Sequence, residues 1–277
     1  MATTMVAFGQ ATCGAALDPV PVIDRASVFV PTNPLRVEFD HRGAEFKLPV
    51  GTENACISGE SSDDEVVVHR VRFSPSSISS LKSRASPPAA SRRGPYSTVQ
   101  CVVAHLWRCI TAARRLEGNA VTVARVAVDG SARLRHPPVP QEYIGNAVLW
   151  ARPIATAAKL AATPLAHAVE LVSRAVARTD DRYFRSSGAV EEEGLVPTAD
   201  AAKMVLSPDG EALGFPFRYI DFGSARIRGV TEEGLVFPVP SLCGDGSVYA
   251  YVNLFRRHMD VFRDCYYSLL AAGVSRL

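Results

Sequence analysis

Histidines, cysteines and carboxylates are the residues of this chain that could carry acid–base, nucleophilic or metal chemistry, if their spacing brings them together. The histidines are widely separated, at positions 41, 69, 105, 136, 167 and 258, and none forms a His-Glu-x-x-His pattern or another ligand pair on one helical face. The cysteines, at positions 13, 56, 101, 109, 243 and 265, lack Cys-x-x-Cys spacing. We therefore expect no metal site, and we expect buried reduced thiols rather than disulfides.

Local signatures of catalysis are absent from the sequence. There is no Gly-x-Ser-x-Gly nucleophile elbow and no glycine-rich phosphate loop. His105 and His167 lie among apolar residues of predicted helices, which favours a structural role, and His258, near a helix start, is expected to be exposed. Asp180-Asp181 and Glu191-Glu192-Glu193 could pair as acid and base, but their polar surroundings favour solvated loops.

Composition and charge exclude several classes of protein. The 277 residues, 47% hydrophobic, suffice for one large or two ordinary domains. The formal charge is +2 and arginine pairs such as Arg92-Arg93 are scattered, so nothing indicates nucleic-acid binding. Charges and prolines interrupt every long apolar stretch, and no Lys or Arg precedes Arg25. We expect no membrane span, no leader peptide and a cytosolic location.

Hydrophobic periodicity predicts the elements that must position any site. A capping box at Ser97 opens an amphipathic helix that Gly118 could close. Valines occur at alternate positions at Val121 and Val123 and again at Val126 and Val128, but the alternation shifts phase between 123 and 126. This pattern predicts a strand that is bulged or buried on both faces. Further predictions are a helix from Thr163-Pro164 to about Arg178, strands over 215–222, 234–239 and 247–255, and a helix over 260–270. Interleaved strands and helices indicate an α/β fold with a mixed sheet.

Two proline-rich stretches interrupt this pattern. Residues 18–50 read as an extended connector with short strand pieces, because their prolines disfavour helix. Residues 74–95 read as an exposed loop that contains a short helix from Ile78 to Arg84. Gly244-Asp245-Gly246 lies between two predicted strands and is expected to form a hairpin turn.

Several segments, in order along nearly the whole chain, resemble the plant BAHD acyl-CoA-dependent acyltransferases. These segments are Phe8-Gly9-Gln10-Ala11-Thr12, Pro19–Arg25, His105–Arg108, Tyr143-Ile144-Gly145-Asn146-Ala147-Val148 and Asp221-Phe222-Gly223. The segments Pro240–Val248 and Asp264–Ser268 are similar to the hydroxycinnamoyl-CoA amine transferases of that family.

This resemblance implies a chloramphenicol acetyltransferase-like fold, in which two α/β domains with mixed sheets and flanking helices are joined by a crossover. It implies that residues 1–17 are a remnant of the first domain, 18–70 the crossover connector and 71–277 the C-terminal domain, with an exposed loop at about 74–95. The family's general base is the histidine of a His-x-x-x-Asp motif in the first domain. No histidine of this chain precedes an aspartate at that spacing, and Met1 is expected to fall just beyond the motif.

The resemblance also implies a binding segment. Tyr143, Gly145 and Asn146 match the family's Tyr-Phe-Gly-Asn segment, which is associated with the CoA side of the site, and Ile144 replaces the phenylalanine. No catalytic residue can be carried over, because the His-x-x-x-Asp motif is not in these residues.

A second carried-over motif is structural. Asp221, Phe222 and Gly223 match Asp-Phe-Gly-Trp-Gly, whose aspartate forms a salt bridge with an arginine, for which Arg133 is the candidate. Ser224-Ala225 replace the Trp-Gly, and Gly210-Glu211-Ala212 stand where the family has a Thr-Ser-Trp that borders the reacting acyl group.

Two functions therefore stay open at this point. The first is transfer of an acyl group, hydroxycinnamoyl by resemblance, from CoA to an amine or alcohol, with acyl-CoA as co-substrate and no other cofactor. The second is a catalytically inactive, truncated relative with at most acyl-CoA or partner binding. Neither involves nucleic acid or a membrane, and an unrelated α/β protein is the remaining alternative.

Overall fold

The computed structural model describes residues 2–31, 33–34, 36, 38–39, 41, 46–47, 65–86, 95–192, 196–197, 220–221 and 233–271, and the findings below concern these residues. Their helices are α1 (Ala2–Thr12), α2 (Arg25–Val28), α3 (Pro75–Ala85), α4 (Thr98–Ala113), α5 (Ala157–Ala162), α6 (Leu165–Arg178), α7 (Asp181–Glu192) and α8 (Arg256–Ala271). Their strands are β1 (Phe46–Lys47), β2 (Val66–Phe73), β3 (Val121–Val123), β4 (Arg125–Asp129), β5 (Val148–Ala151), β6 (Ile154–Thr156), β7 (Val196–Pro197), β8 (Ile220–Asp221), β9 (Leu235–Pro240) and β10 (Val248–Phe255). The interleaved order confirms the α/β class.

The chain divides into two compact units, each assembled from three separated segments. Unit 1 comprises residues 1–54, 127–150 and 178–216, and unit 2 comprises residues 55–126, 151–177 and 217–277. The division expected from the resemblance, into 1–17, 18–70 and 71–277, follows chain order instead, and its boundaries stay a prediction.

Unit 2 is built on an antiparallel sheet. Its strands lie in the order β2-β10-β9-β8-β4, and β10 pairs along its whole length with β2, from Val248 opposite Phe73 to Phe255 opposite Val66. The β9–β10 hairpin pairs Pro240 with Val248, which confirms the turn at Gly244-Asp245-Gly246. Alternate residues of β2 and β10, including Val71, Phe73, Ala250 and Val252, are buried.

Helix α4 lies in the core of unit 2 and begins as predicted. The Ser97 hydroxyl accepts from the Gln100 N–H at 3.2 Å while the Gln100 side chain accepts from the Ser97 N–H at 2.9 Å, which is the predicted capping box. The Trp107 indole donates to the Thr122 hydroxyl at 3.0 Å, so α4 is tied to β3. The helix ends at Ala113 and not at Gly118, because Arg115 adopts a φ of 49° and leaves the helical conformation.

Unit 1 contains a smaller apolar core. It is formed by residues from the end of α2 and the position after it, from β5 and the segment before it, and from α7: Val28, Phe29, Leu134, Tyr143, Ala147, Leu149 and Phe184. Gly130 is required in this core, because a Cβ there would overlap the Phe184 ring and the Ala147 carbonyl oxygen. The Gly130 N–H donates to that carbonyl at 2.6 Å.

Several predicted elements have to be corrected. The strand predicted over 121–128 is two strands, β3 paired with β6 and β4 paired with β8, separated at Ala124 where the alternation shifts phase. The short helix predicted from Ile78 to Arg84 is present and longer, as α3, because the Ser74 hydroxyl caps it by accepting from the Ser77 N–H. Residues 87–94 of the predicted loop lie outside the described residues. The connector predicted over 18–50 contains a helical turn, α2.

The final helix starts earlier than predicted, at Arg256, and buries Met259, Phe262 and Tyr266. Helix α6 runs from Leu165 to Arg178, as the Thr163-Pro164 signal predicts. Most of the strand predicted over 215–222 lies outside the described residues.

Candidate functional site

The Tyr143–Asn146 segment is held in unit 1 by a partner more than a hundred residues away in sequence. The Val22 N–H donates to the Glu142 carbonyl at 2.9 Å, and the Ile144 N–H donates to the Val22 carbonyl at 2.9 Å. Val22 and Tyr143 thus form a parallel bridge. Two of the segments that resemble the acyltransferases are therefore joined through their backbones.

The Tyr143 side chain folds back over Gly145. Its ring is 9% exposed and belongs to the core of unit 1. A Cβ at Gly145 would overlap the Tyr143 hydroxyl oxygen and Cζ, so only glycine leaves room for the ring. Burial raises the pKa of the Tyr143 hydroxyl, while the nearby Arg25 opposes this shift. The Tyr-x-Gly spacing therefore lets the Tyr143 ring pack directly over the loop.

The residues that support Val22 are also fixed locally. The Asp24 carboxylate caps α2, since it accepts from the N–H groups of Ala26 at 3.1 Å and Ser27 at 3.3 Å. The Arg25 guanidinium lies 4.8 Å from the centre of the Phe29 ring. These contacts set the direction in which the chain leaves Val22.

A third segment of the resemblance joins the same unit through Gln10. Its side-chain amide donates to the Asp18 carbonyl at 2.7 Å and accepts from the Asp18 N–H at 3.0 Å. The carboxamide thus mimics a paired backbone strand and holds α1 against the start of the proline-rich connector.

Asn146, the last residue of the Tyr143–Asn146 loop, is half-buried.

The second motif is described only in part. The backbone of Asp221 lies in β8, where it pairs with Arg125 and Leu235. Arg133 donates from Nη1 to the Thr179 carbonyl at 2.8 Å. The Asp221 side chain, Phe222, Gly223, Ser224-Ala225 and Gly210–Ala212 lie outside the described residues, so the Asp221–Arg133 pair stays a prediction.

Asp181 lies in a helix and not in a solvated loop. It opens α7, where it accepts from the Arg135 N–H at 2.8 Å and from Arg185 Nε at 2.9 Å. Partial burial alone raises the pKa of Asp181, but these two hydrogen bonds hold it below its ordinary value. A carboxylate so engaged fixes α7 and is unsuited to act as a general base.

The histidines and cysteines differ in their surroundings. His105 is 1% exposed, and burial, reinforced by Arg84 and Arg108, lowers its pKa to about 3, so the ring is neutral and structural as predicted. His258 is half-buried rather than exposed. Cys101 and Cys109 are buried thiols as expected, whereas Cys13 and Cys243 are exposed thiols.

Sequence reasoning misses two sets of contacts. Ser186 on α7 accepts from the N–H groups of Glu38 at 3.0 Å and Phe39 at 3.2 Å, and His41 Nε2 lies 3.2 Å from the same hydroxyl. In unit 2 a buried ion pair joins Arg114 to Glu233. Both contacts link residues more than a hundred positions apart, and no local pattern signals them.

The described residues contain neither a metal-binding cluster nor a membrane-spanning helix. Among them no three His, Cys, Asp or Glu side chains are grouped so that they could hold a metal ion. None of the described helices is both long and apolar enough to cross a membrane.

Comparison with known proteins gives relatives over almost the entire chain. The model of the transferase family matches residues 1–269. Agmatine coumaroyltransferase-1 of Hordeum vulgare is 52% identical over 278 aligned residues, and agmatine hydroxycinnamoyltransferase 1 of Oryza sativa subsp. japonica is 53% identical over 283. Each alignment covers 95% of this chain, and the chain spans 62% of each relative's length.

Solved structures share the fold. F. graminearum TRI101, in complex with coenzyme A and T-2 mycotoxin, aligns with a TM-score of 0.54 at 19% identity over 93% of this chain and 59% of that chain. Vinorine synthase aligns with a TM-score of 0.52 at 19% identity over 94% of this chain and 56% of that chain. With its joined motif segments, its α/β fold and the family match, the chain belongs to the transferase family of BAHD acyl-CoA-dependent acyltransferases.

Proposed function

We propose that this chain forms the CoA-side part of an acyltransferase that moves a hydroxycinnamoyl group from CoA to an amine, agmatine or a close analogue. The acceptor class rests on 52–53% identity to two relatives named for agmatine, against 39% for putrescine hydroxycinnamoyltransferase 3 of Oryza sativa subsp. japonica. The structural observation that carries the proposal is the Tyr143–Asn146 loop, which is bridged to Val22 and in which the Tyr143 ring packs over Gly145.

The proposed reaction is acyl transfer by direct attack. The acceptor nitrogen attacks the thioester carbonyl, the carbon–sulfur bond breaks, and CoA leaves as the thiol while the nitrogen loses a proton to a base. In this scheme the Tyr143–Asn146 loop holds the CoA side of the donor. The Asn146 side chain supplies an amide that can donate and accept hydrogen bonds.

The family's His-x-x-x-Asp general base has no counterpart in these 277 residues. None of the six histidines is followed four positions later by aspartate. Removal of a general base costs about 10²–10⁴-fold in rate. We therefore expect residues 1–277 on their own to bind acyl-CoA with little or no turnover, which keeps the binding-only alternative as the second candidate for this polypeptide.

A transfer assay with p-coumaroyl-CoA separates the two candidates. Thioester loss is followed against agmatine concentration near pH 7, for the unchanged chain and for Asn146→Ala. Saturable turnover that falls in Asn146→Ala would show that these residues are catalytic by themselves. A linear, variant-independent rate equal to uncatalysed aminolysis, together with measurable CoA binding, is the result that we expect.

Three finer proposals come from the sequence. Asp221 forms a structural salt bridge with Arg133, residues 71–277 form the C-terminal transferase domain, and the protein acts in the cytosol. For the ion pair, Arg133→Asp and Asp221→Arg should each lower the free energy of unfolding. The double variant, in which the two charges are exchanged, should regain part of that stability. If the double variant regains none of it, the ion pair is not formed. Fractionation of the source tissue tests the location.

A further inference from the structure

Helix α1 presents its largest apolar side chains to solvent. Met5 and Phe8 are 56% and 66% exposed, and they share one helical face with the exposed Thr12, at the spacing i, i+3 and i+7. These three residues are called the outer face of α1 below. In a helix that packs onto its own domain, large apolar residues normally face inward. Packing within unit 1 therefore does not explain why Met5 and Phe8 point outward.

The opposite face of α1 is the one that packs onto unit 1. It contains Thr3, Ala7 and Gln10, at the spacing i, i+4 and i+7. Ala7 is buried, and the Thr3 hydroxyl donates to the Gln141 carbonyl at 3.5 Å. The Gln10 side chain is bonded to the backbone of Asp18 at 2.7 and 3.0 Å. One small side chain and these hydrogen bonds thus hold the helix so that its apolar face is directed into solvent.

The sequence around this outer face carries no charge. Residues 1–17 contain no Asp, Glu, Lys, Arg or His, although 21% of the whole chain is Asp, Glu, Lys or Arg. A charged partner would lose water on this surface without gaining a counter-charge. An anionic lipid surface is disfavoured as well, because helices that lie on such membranes carry Lys and Arg on their polar face. The surface therefore fits an uncharged, apolar partner.

A second copy of the same helix has this chemistry. When two copies meet across a two-fold axis each contact occurs twice, so Phe8 of one copy can lie against Met5 of the other, and Met5 against Phe8. The contact between a methionine sulfur and an aromatic ring is favourable. This arrangement covers the large apolar side chains of both outer faces at once, and it closes with two copies.

We propose that this chain forms a two-fold symmetric dimer through the outer faces of α1, with Phe8 of each copy packed against Met5 of the other. Only one helix face of each copy is covered, which is less than the roughly 800 Å² per partner of a standard interface. The dimer is accordingly weak, with a dissociation constant in the micromolar range. The outer face contains none of the residues proposed to hold CoA, so the dimer does not depend on the proposed function.

Sedimentation velocity over a range of protein concentrations tests the dimer. Phe8→Glu and Met5→Lys are each expected to raise its dissociation constant by at least about 100-fold, because the burial of an apolar side chain is lost at two places across the axis. Both side chains are exposed, so each variant should fold, which circular dichroism checks. Leu242→Glu is the matched control, because Leu242 is 100% exposed and lies in unit 2.

An equal mixture of Phe8→Glu and Met5→Lys tests the pairing itself. In the mixed dimer the two introduced charges of opposite sign face each other, while the second contact is still Met5 against Phe8. The mixture should therefore associate more strongly than either variant alone. A patch that was merely apolar, without this pairing, would give no such recovery.

The outcomes are distinct. Concentration-dependent dimerisation that is lost in both variants, kept in Leu242→Glu and regained in the mixture supports the proposal. A monomer at every concentration, a dimer that persists in Phe8→Glu, an equal loss in Leu242→Glu or a mixture that fails to associate overturns it. Binding to phosphatidylcholine vesicles that requires Phe8, without any dimer, overturns it in favour of a lipid surface. A dimer without CoA binding would count against the proposed function and leave this inference standing.

Discussion

Arg114 and Glu233 form two parallel hydrogen bonds in unit 2, from Nε to Oε1 at 3.0 Å and from Nη2 to Oε2 at 2.5 Å. Their side chains are only 12% and 3% exposed. The pair joins the C-terminal end of α4 to the turn that leads into β9, next to Gly234, whose N–H donates to the Asn253 carbonyl at 2.8 Å. The ion pair thus fixes where the chain re-enters the sheet.

Loss of either partner alone should be far more harmful than loss of both. We expect Arg114→Met or Glu233→Gln to lower the free energy of unfolding by about 3–5 kcal/mol, because the remaining buried charge loses its ion-pair partner. The double variant should lose less than the sum. Urea denaturation of the four proteins measures the coupling, and additive losses would show that the two side chains do not interact.

Gly145 should tolerate no side chain. In Gly145→Ala the new methyl group overlaps the Tyr143 ring, which is held in the core, so we expect a loss of about 1–3 kcal/mol in unfolding free energy. The loop that Tyr143 closes should also lose affinity for CoA, measured by calorimetry.

Gly9→Ala is the matched comparison for this change. Nothing lies within 4 Å of a Cβ at Gly9, which is in the interior of α1. Removal of a helical glycine should stabilise α1 by about 0.5–1 kcal/mol. If Gly145→Ala were as stable as Gly9→Ala, the Tyr143 ring would not occupy the position described.

Stability should rise with pH because of His105. Its folded pKa of about 3 lies below the ordinary value of 6.5, so the unfolded chain binds more protons as the pH falls below about 6.5. This contribution is complete above that pH and is lost progressively on acidification, at up to about 1.4 kcal/mol per pH unit. Urea midpoints from about pH 4.5 to 7.5 should show a shallower slope in His105→Gln. The exposed His136→Gln provides the surface comparison, and equal slopes in all three proteins would contradict the assignment.

Asp245 should contribute in a more acidic range. The Ser247 N–H and then the Ser247 hydroxyl, with Ser241 and Arg72 as further donors, hold the pKa of Asp245 at about 2 instead of 3.8. The stabilisation is complete above about pH 4 and disappears as the pH falls towards 2. The gap between the unchanged chain and Asp245→Asn should close over that range, and added salt should reduce the part due to Arg72. A gap that stays constant down to pH 2 would count against this ionisation.

The sequence predicts best those elements whose signal is local. The Ser97 capping box and the Gly244–Gly246 hairpin appear as predicted, because each depends on residues a few positions apart. Helix α7 is missed because its polar sequence is stabilised by distant partners of Asp181 and Ser186. The strand predicted over 121–128 is two strands, because β3 pairs with β6 in one sheet and β4 pairs with β8 in another. No local sequence pattern indicates these pairing partners.

The candidate site shows the same limit. Resemblance singles out Tyr143, Gly145 and Asn146, and the overlap of the Tyr143 ring with a Cβ on Gly145 gives the physical reason for two of them. That Val22 forms the bridge to Tyr143 could not be predicted, since backbone hydrogen bonds leave no trace in side-chain identity. The partner of Asp221 depends on long-range geometry in the same way.

The discontinuous make-up of unit 1 has a consequence for how the protein is synthesised. Val28 and Phe29 leave the ribosome about 150 residues before Phe184, the ring that completes their core, and translation at about 5–20 residues per second makes this interval roughly 8–30 s. During that time the Val28 and Phe29 side chains lack the Phe184 ring as a neighbour. The residues of this core that are made first are therefore among the last to be protected from solvent.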